Sequence, residues 1–265
     1  MAHTPSAIVT GGGSGIGAAT AARLRDGGWD VVIAGRRPGP LREVAARTGA
    51  TAIAMDLDEP GACEALLRET LELTGRLDGL VLNAGIGPAG AFAEQDRQAW
   101  LDTLGTNLVG AIDLTRAALP ALVETGGAIV GVASLAALRA NAFMSAYHAS
   151  KAGLAIALQS VAVEYGRLGV RANAVCPGWV RTEMADEEMS VVMDRDGVDL
   201  DEAYRRTAAL VPLRRAAAPG EIAEVIEFLL SPRASYITAA VIPVDGGAQA
   251  VDVGAVIFDE DAAGR

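Results

Sequence analysis

Short runs of β-branched and aliphatic residues recur along this chain with helical stretches between them, and that alternation constrains the fold more than any one motif. The runs are 7–10, 30–34, 51–55, 79–82, 128–132, 171–175 and 240–244. Helical stretches such as 16–25, closed by Gly27 and Gly28, and 59–74, closed by Gly75, lie between them. Strand and helix in turn are the pattern of βαβ units, which place strands side by side in a parallel sheet. No linker, repeat or low-complexity stretch interrupts it. The expectation is therefore one α/β domain over residues 1–265, a doubly wound parallel sheet of about seven strands with helices on both faces. Its core runs from about 6 to 247. A polar, irregular stretch at 182–212 overlaps a lid region at 183–215, and a tail at 248–265 has Phe258 as its large anchor.

The first run enters Thr10-Gly11-Gly12-Gly13-Ser14-Gly15-Ile16-Gly17. A glycine-rich turn between a strand and a helix presents free backbone N–H groups and a helix N-terminus to a pyrophosphate. The spacing is not GxGxxG, because position 16 is Ile, and reads GxxxGxG through Gly11, Gly15 and Gly17. The second run ends in Gly35-Arg36-Arg37, where an acid would accept the ribose 2′-OH of NAD. No acid stands there. The two guanidinium groups suit a phosphate instead, so NADP(H) is favoured and NAD(H) is the alternative. Asn83-Ala84-Gly85 forms a second turn of small residues after the fourth run.

Composition narrows the partners. The 33 acidic against 22 basic residues leave a net charge of −11, which argues against nucleic acid or an anionic membrane surface as the main partner. Cys63 and Cys176 are the two cysteines, too few for a disulfide framework and without a metal-ligand pattern, so free thiols and no metal are expected. The N-terminus has no basic segment followed by a long apolar one, and no apolar run reaches the ~18 residues of a membrane span. A soluble, cytoplasmic protein is the expectation.

Chemistry concentrates at 133–153, reading ASLAALRANAFMSAYHASKAG. If the stretch 146–168 is helical, Tyr147 and Lys151 share one face. A cation held beside a phenol stabilises phenolate and brings its proton into a range useful as acid or base. An ordinary half-exposed helix shares this spacing. Asn107, among apolar neighbours in a helical stretch at 95–122, needs a hydrogen-bond partner.

Assembled, these residues resemble the classical short-chain dehydrogenase/reductase family, from residue 7 to residue 247. TGGGSGIG at 10–17 looks like the family's cofactor turn, Asn83-Ala84-Gly85 like its NAG motif and Tyr147-His148-Ala149-Ser150-Lys151 like its YxxxK. The resemblance implies a Rossmann-type fold and a catalytic tetrad of Asn107, Ser134, Tyr147 and Lys151. Ser134 would hydrogen-bond the substrate oxygen and Tyr147 would carry the proton. Lys151 would bind the nicotinamide ribose and keep Tyr147 acidic, while Asn107 would bend its helix and hold a water linking Lys151 to solvent. Cofactor contacts are implied at Thr10, Gly11, Gly13, Ser14, Gly15, Ile16, Gly17, Arg36, Arg37, Asp56, Leu57, Asn83, Ala84, Gly85, Tyr147, Lys151, Pro177, Gly178, Val180 and Thr182.

The implied reaction interconverts a secondary alcohol and a ketone. Ser14 stands where many NADP-preferring members carry a basic residue, so specificity rests on Arg36 and Arg37. Leu138, Phe143 and Met144, with Met184, Met189 and Met193, suggest a largely apolar substrate; the last three equally suit a packed surface helix. A substrate on an acidic carrier protein is disfavoured by like charge. Family members assemble as dimers or tetramers, and Leu154, Ala155, Leu158, Val161 and Ala162 suit either such an interface or the domain's own core. A non-catalytic cofactor-binding protein on the same fold is the competing class, and an epimerase would need a larger C-terminal region.

Overall fold

In the computed structural model, which describes residues 3–252 and 254–255, β1 (Ser6–Thr10) lies inside a parallel sheet. β2 (Asp30–Gly35) pairs with it on one side and β4 (Gly79–Leu82) on the other, with Thr10 opposite Ala34 and Val9 opposite Val81. β3 (Thr51–Ala54) continues beyond β2. β5 (Ala128–Val132), β6 (Arg171–Pro177) and β7 (Val241–Val244) continue beyond β4, giving the order β3-β2-β1-β4-β5-β6-β7. The strand order reverses between β1 and β4. In an open parallel sheet such a reversal leaves a crevice at the strands' carboxyl ends, where ligands bind.

Side-chain alternation along each strand divides the core. Ile8, Val32, Leu80, Leu82 and Ile129 face α3 (Ala62–Thr74), α5 (Gly110–Thr125) and α6 (Ser145–Tyr165). Ala7, Val9, Val31, Ile33 and Val81 face α1 (Gly15–Asp26), α2 (Pro38–Thr48) and α9 (Pro219–Leu230). These strands are apolar on both faces, as a sheet covered on two sides requires. Each fully buried Leu or Ile contributes about 1.5–3 kcal/mol of transfer free energy. Gly131 of β5 has no room for a side chain, since a Cβ there would overlap Leu158 of α6. That close approach brings α6, with Tyr147 and Lys151, against the end of β5.

Three local expectations are corrected. The helical stretch expected at 95–122 is interrupted. α4 (Arg97–Leu104), capped by Asp96 through a 2.7 Å bond from the Ala99 N–H, passes into one π-helical segment, Gly105–Val109, before α5 begins. The stretch 182–212, expected to be irregular, contains α7 (Glu183–Asp196) and α8 (Leu200–Thr207). Thr182 and Asp199 are their N-caps, accepting from the Ala185 and Glu202 N–H groups at 3.3 and 2.9 Å. Met189 and Met193 pack with Tyr204 in a small cluster under these helices, so of the three lid methionines only Met184 reaches the crevice.

Leu154, Ala155, Leu158 and Ala162 of α6 belong to the domain's own core. The outer face of that helix instead exposes Ile156 and Val163, by 61% and 79%. Both cysteines are buried free thiols. Among the described residues no helix is long and apolar enough to cross a membrane. Phe258 lies outside the described residues.

Candidate active site

The turn after β1 is held from below by two side chains. Thr10 is buried, and its Oγ1 accepts from the Asn83 and Ala84 N–H groups at 3.0 and 3.1 Å while donating to the Val81 carbonyl at 3.2 Å. Asn83 Nδ2 donates to the Thr10 and Gly11 carbonyls at 2.9 and 3.2 Å. Together they lock the turn to the end of β4. Gly11 and Gly15 adopt φ of +63° and +52°, a region that glycine enters without a Cβ penalty. Thr10 and Gly17 were expected to contact cofactor, but neither lines the crevice. Thr10 braces the turn, and Gly17 leaves space for the Gly11 carbonyl, which a Cβ would overlap.

The crevice above has a volume of about 570 Å³. At one end its walls are Gly11, Gly13, Ser14, Gly15 and Ile16, with Gly35, Arg36 and Arg37 from the end of β2 and Asp56 and Leu57 from beyond β3. Asn83, Ala84 and Gly85 form the middle. Ser134, Tyr147 and Lys151 line the other end, Pro177, Gly178 and Val180 also belong to the lining, and Thr182 stands against Gly15 of the turn. A side chain placed at Gly35 would meet nothing nearer than 3.9 Å, so room for a ribose is left at the end of β2. Free backbone at a helix N-terminus, open space beside two arginines and an elongated cleft fit a dinucleotide.

Arg37 is engaged in an unexpected way. Its guanidinium donates to Ser14 Oγ at 3.2 Å and pairs with Glu183 at 2.8 Å, spanning from the glycine turn to the first residue of α7. Both partners are more than half exposed, so the pair is worth about 0.2–1 kcal/mol.

Asn107 does not line the crevice; it is fully buried beneath it. Its Oδ1 accepts from the Ile86 N–H at 2.7 Å, and Nδ2 donates to the Ile86 carbonyl at 2.8 Å and to Ser150 Oγ at 2.9 Å. Both amide donors are therefore engaged by protein groups, and the side chain clamps the turn after β4. Ser150 Oγ in turn donates to the Tyr147 carbonyl at 2.7 Å.

Lys151 is buried, and its Nζ donates to the Val132 carbonyl at 2.8 Å while lying 5.6 Å from the centre of the Tyr147 ring. Burial lowers its pKa to about 8. Tyr147 moves oppositely from the expectation. Burial pushes its phenol up to about 12, partly offset by a hydrogen bond with Ser134. Desolvation disfavours both charged forms, and Lys151, directed at Val132, does not reverse this for the phenol.

The substrate end is more polar than expected. Leu138 and Phe143 stay outside it, 38% and 59% exposed, while Arg139, Asn141, Trp179 and Glu188 line it with Met144 and Met184. Of these, Glu188 was traceable from sequence had α7 been recognised, because it follows Met184 by one turn.

The profile of the family described as enoyl-(acyl carrier protein) reductase matches residues 11–249. The chain is 43% identical to "Protein MoaE" of Klebsiella aerogenes, over 95% of this chain and 98% of that protein. It is 39% identical to an L-rhamnose 1-dehydrogenase (NAD(P)(+)) of Azotobacter vinelandii, over 91% and 94% of the two chains. Among solved structures, an actinorhodin polyketide ketoreductase variant with NADPH superposes with a TM-score of 0.88 at 36% identity, covering 92% of this chain and 97% of that one.

Proposed function

The chain belongs to the short-chain dehydrogenase/reductase family and is an NAD(P)-dependent oxidoreductase; from that premise we propose that it interconverts a secondary alcohol and a ketone using NADP(H), with Tyr147 as acid and base. The observation that carries the cofactor choice is the end of β2, where Gly35, Arg36 and Arg37 line the crevice and the strand itself ends without an acid. A 2′-phosphate meets two guanidinium groups there, one of them shared with Glu183, which the phosphate would join or displace. Arg36 and Arg37 would hold the phosphate end, and Asn83 to Gly85 and Lys151 the nicotinamide end.

When bound, the nicotinamide supplies or takes the hydride. Ser134 orients the substrate oxygen and stabilises the charge that develops on it. In the reductive direction Tyr147 Oη gives its proton to that oxygen, and in the oxidative direction takes it back. Giving up that proton leaves a phenolate, which burial disfavours, so the step needs a cation close to Oη. Lys151 is the buried cation available, and Asn107 fixes the floor beneath it through Ile86. The exposed apolar pair Ile156 and Val163 supports self-association through the outer face of α6.

The engagement of Arg37 by Glu183 favours a second reading, with NAD(H) as the working cofactor, since it leaves Arg36 alone for a phosphate. Dissociation constants for NADPH and NADH on the wild-type protein decide between them. Tyr147→Phe is expected to lose turnover by at least about 10²-fold with cofactor affinity kept. Wild-type turnover in that variant would overturn the role given to Tyr147.

A further inference from the structure

At the substrate end, α7 presents Met184 and Glu188 to the cavity one turn apart, while Met189 turns away into the Tyr204 cluster. Glu188 is half-buried. Two other half-buried acids on the helix have partners: Asp186 accepts from Tyr204 Oη at 2.7 Å, and Asp196 pairs with Arg195 and Arg206. Among the described residues Glu188 has neither an ion pair nor a hydrogen-bond donor, and burial alone raises its pKa. Arg139 lines the same cavity, but its guanidinium is directed at the Ala248 carbonyl, 2.7 Å away. Glu188 and Tyr147 line the same crevice, and the Glu188 charge helps push the phenol up.

A half-buried carboxylate with no protein donor keeps its acceptor capacity for a bound molecule. The cavity it faces is the one that holds Ser134 and Tyr147, so a donor carried by a molecule bound there would reach it. Resting on the oxidoreductase reading above, we propose that Glu188 is a specificity-determining residue: it accepts a hydrogen bond from a hydroxyl or a protonated amine carried beside the reacting alcohol carbon. The substrate class is then a diol, polyol or amino alcohol, not the largely apolar ketone expected from sequence.

The test uses a vicinal diol, a vicinal amino alcohol and the plain secondary alcohol of equal chain length, with wild type, Glu188→Gln and Glu188→Leu. Wild-type kcat/KM is expected to be at least about tenfold higher for one donor-bearing probe than for the plain alcohol, as a hydrogen bond to a charged group allows. Glu188→Leu should abolish that preference, bringing kcat/KM for the donor-bearing probe to that of the plain alcohol in the same variant, with the melting temperature kept. Glu188→Gln should retain a hydroxyl preference and lose an ammonium preference, which separates the two donors. Binding is read independently by calorimetry, with Tyr147→Phe and its Glu188→Leu double variant in the presence of NADPH. Equal turnover of all three probes by wild type, or an equal loss for all three in Glu188→Leu, overturns the role of Glu188 and leaves the oxidoreductase reading standing. Selective binding without turnover supports Glu188 and overturns the reaction assigned to Tyr147. Absence of both overturns both.

Discussion

The Nζ of Lys151 donates to the Val132 carbonyl at 2.8 Å, tying a buried ammonium on α6 to the carboxyl end of β5. Of the three possible donor directions on that nitrogen, one is spent on the sheet edge. The cation is thereby held at the floor of the crevice, where a ribose or a phenolate can use the others.

Such a placement opposes stability. With its pKa lowered from 10.5 to about 8, Lys151 carries a desolvated charge in the folded protein below pH 8, and this penalty is relieved as pH climbs from about 8 to about 10.5, where only the unfolded chain still binds the proton. Lys151→Met is therefore expected to raise stability at pH 7 by about 1–2 kcal/mol, or roughly 2–8 °C in melting temperature, while abolishing turnover. The gain over wild type should shrink across pH 8–10.5, read by thermal melts of the cofactor-free proteins.

Replacing Asn107 acts through the backbone of Ile86. Asn107→Ala deletes one accepted and two donated hydrogen bonds in a fully buried place, leaving the Ile86 N–H and C=O and Ser150 Oγ to find other partners. The expected cost is about 2–4 kcal/mol in urea unfolding. Turnover should fall more than cofactor affinity, because the turn after β4 loses its clamp below the nicotinamide end.

Arg37 and Glu183 form a bridge that a 2′-phosphate must enter or displace. Glu183→Gln is expected to tighten NADPH binding by up to about fivefold, the equivalent of an exposed ion pair, with NADH unchanged. Arg37→Ala should weaken NADPH alone. Titrations at low and high salt check both, since the difference between variants should contract as salt screens the pair.

An acid added at the end of β2 should switch the cofactor. A Cβ at Gly35 has clearance of 3.9 Å or more, so Gly35→Asp fits without shifting the turn. The new carboxylate accepts from a ribose 2′-OH and repels a 2′-phosphate. NADPH affinity is expected to fall at least about tenfold relative to NADH, with a melting temperature close to wild type.

The class of fold and the location of the chemistry are legible in the order of the residues. Alternating β-branched and helical segments permit few solutions other than a parallel sheet, and the turn at Gly11 to Gly17, the small residues at Asn83 to Gly85 and the Tyr147–Lys151 spacing are local patterns whose chemistry is written in neighbouring positions. The tertiary structure decided everything that depends on residues distant in the chain. Thr10 became a brace because Asn83 and Ala84 arrive from another strand, and Asn107 became a clamp because Ile86 lies where a π-helical segment turns its amide. The upward push of burial on the Tyr147 phenol, partly offset by the hydrogen bond with Ser134, depends on surroundings that the local pattern does not contain. The lid helix was hidden because its acids and methionines show no clear apolar stripe; once Thr182 caps it, the face bearing Met184 and Glu188 is decided by how α7 packs on Tyr204.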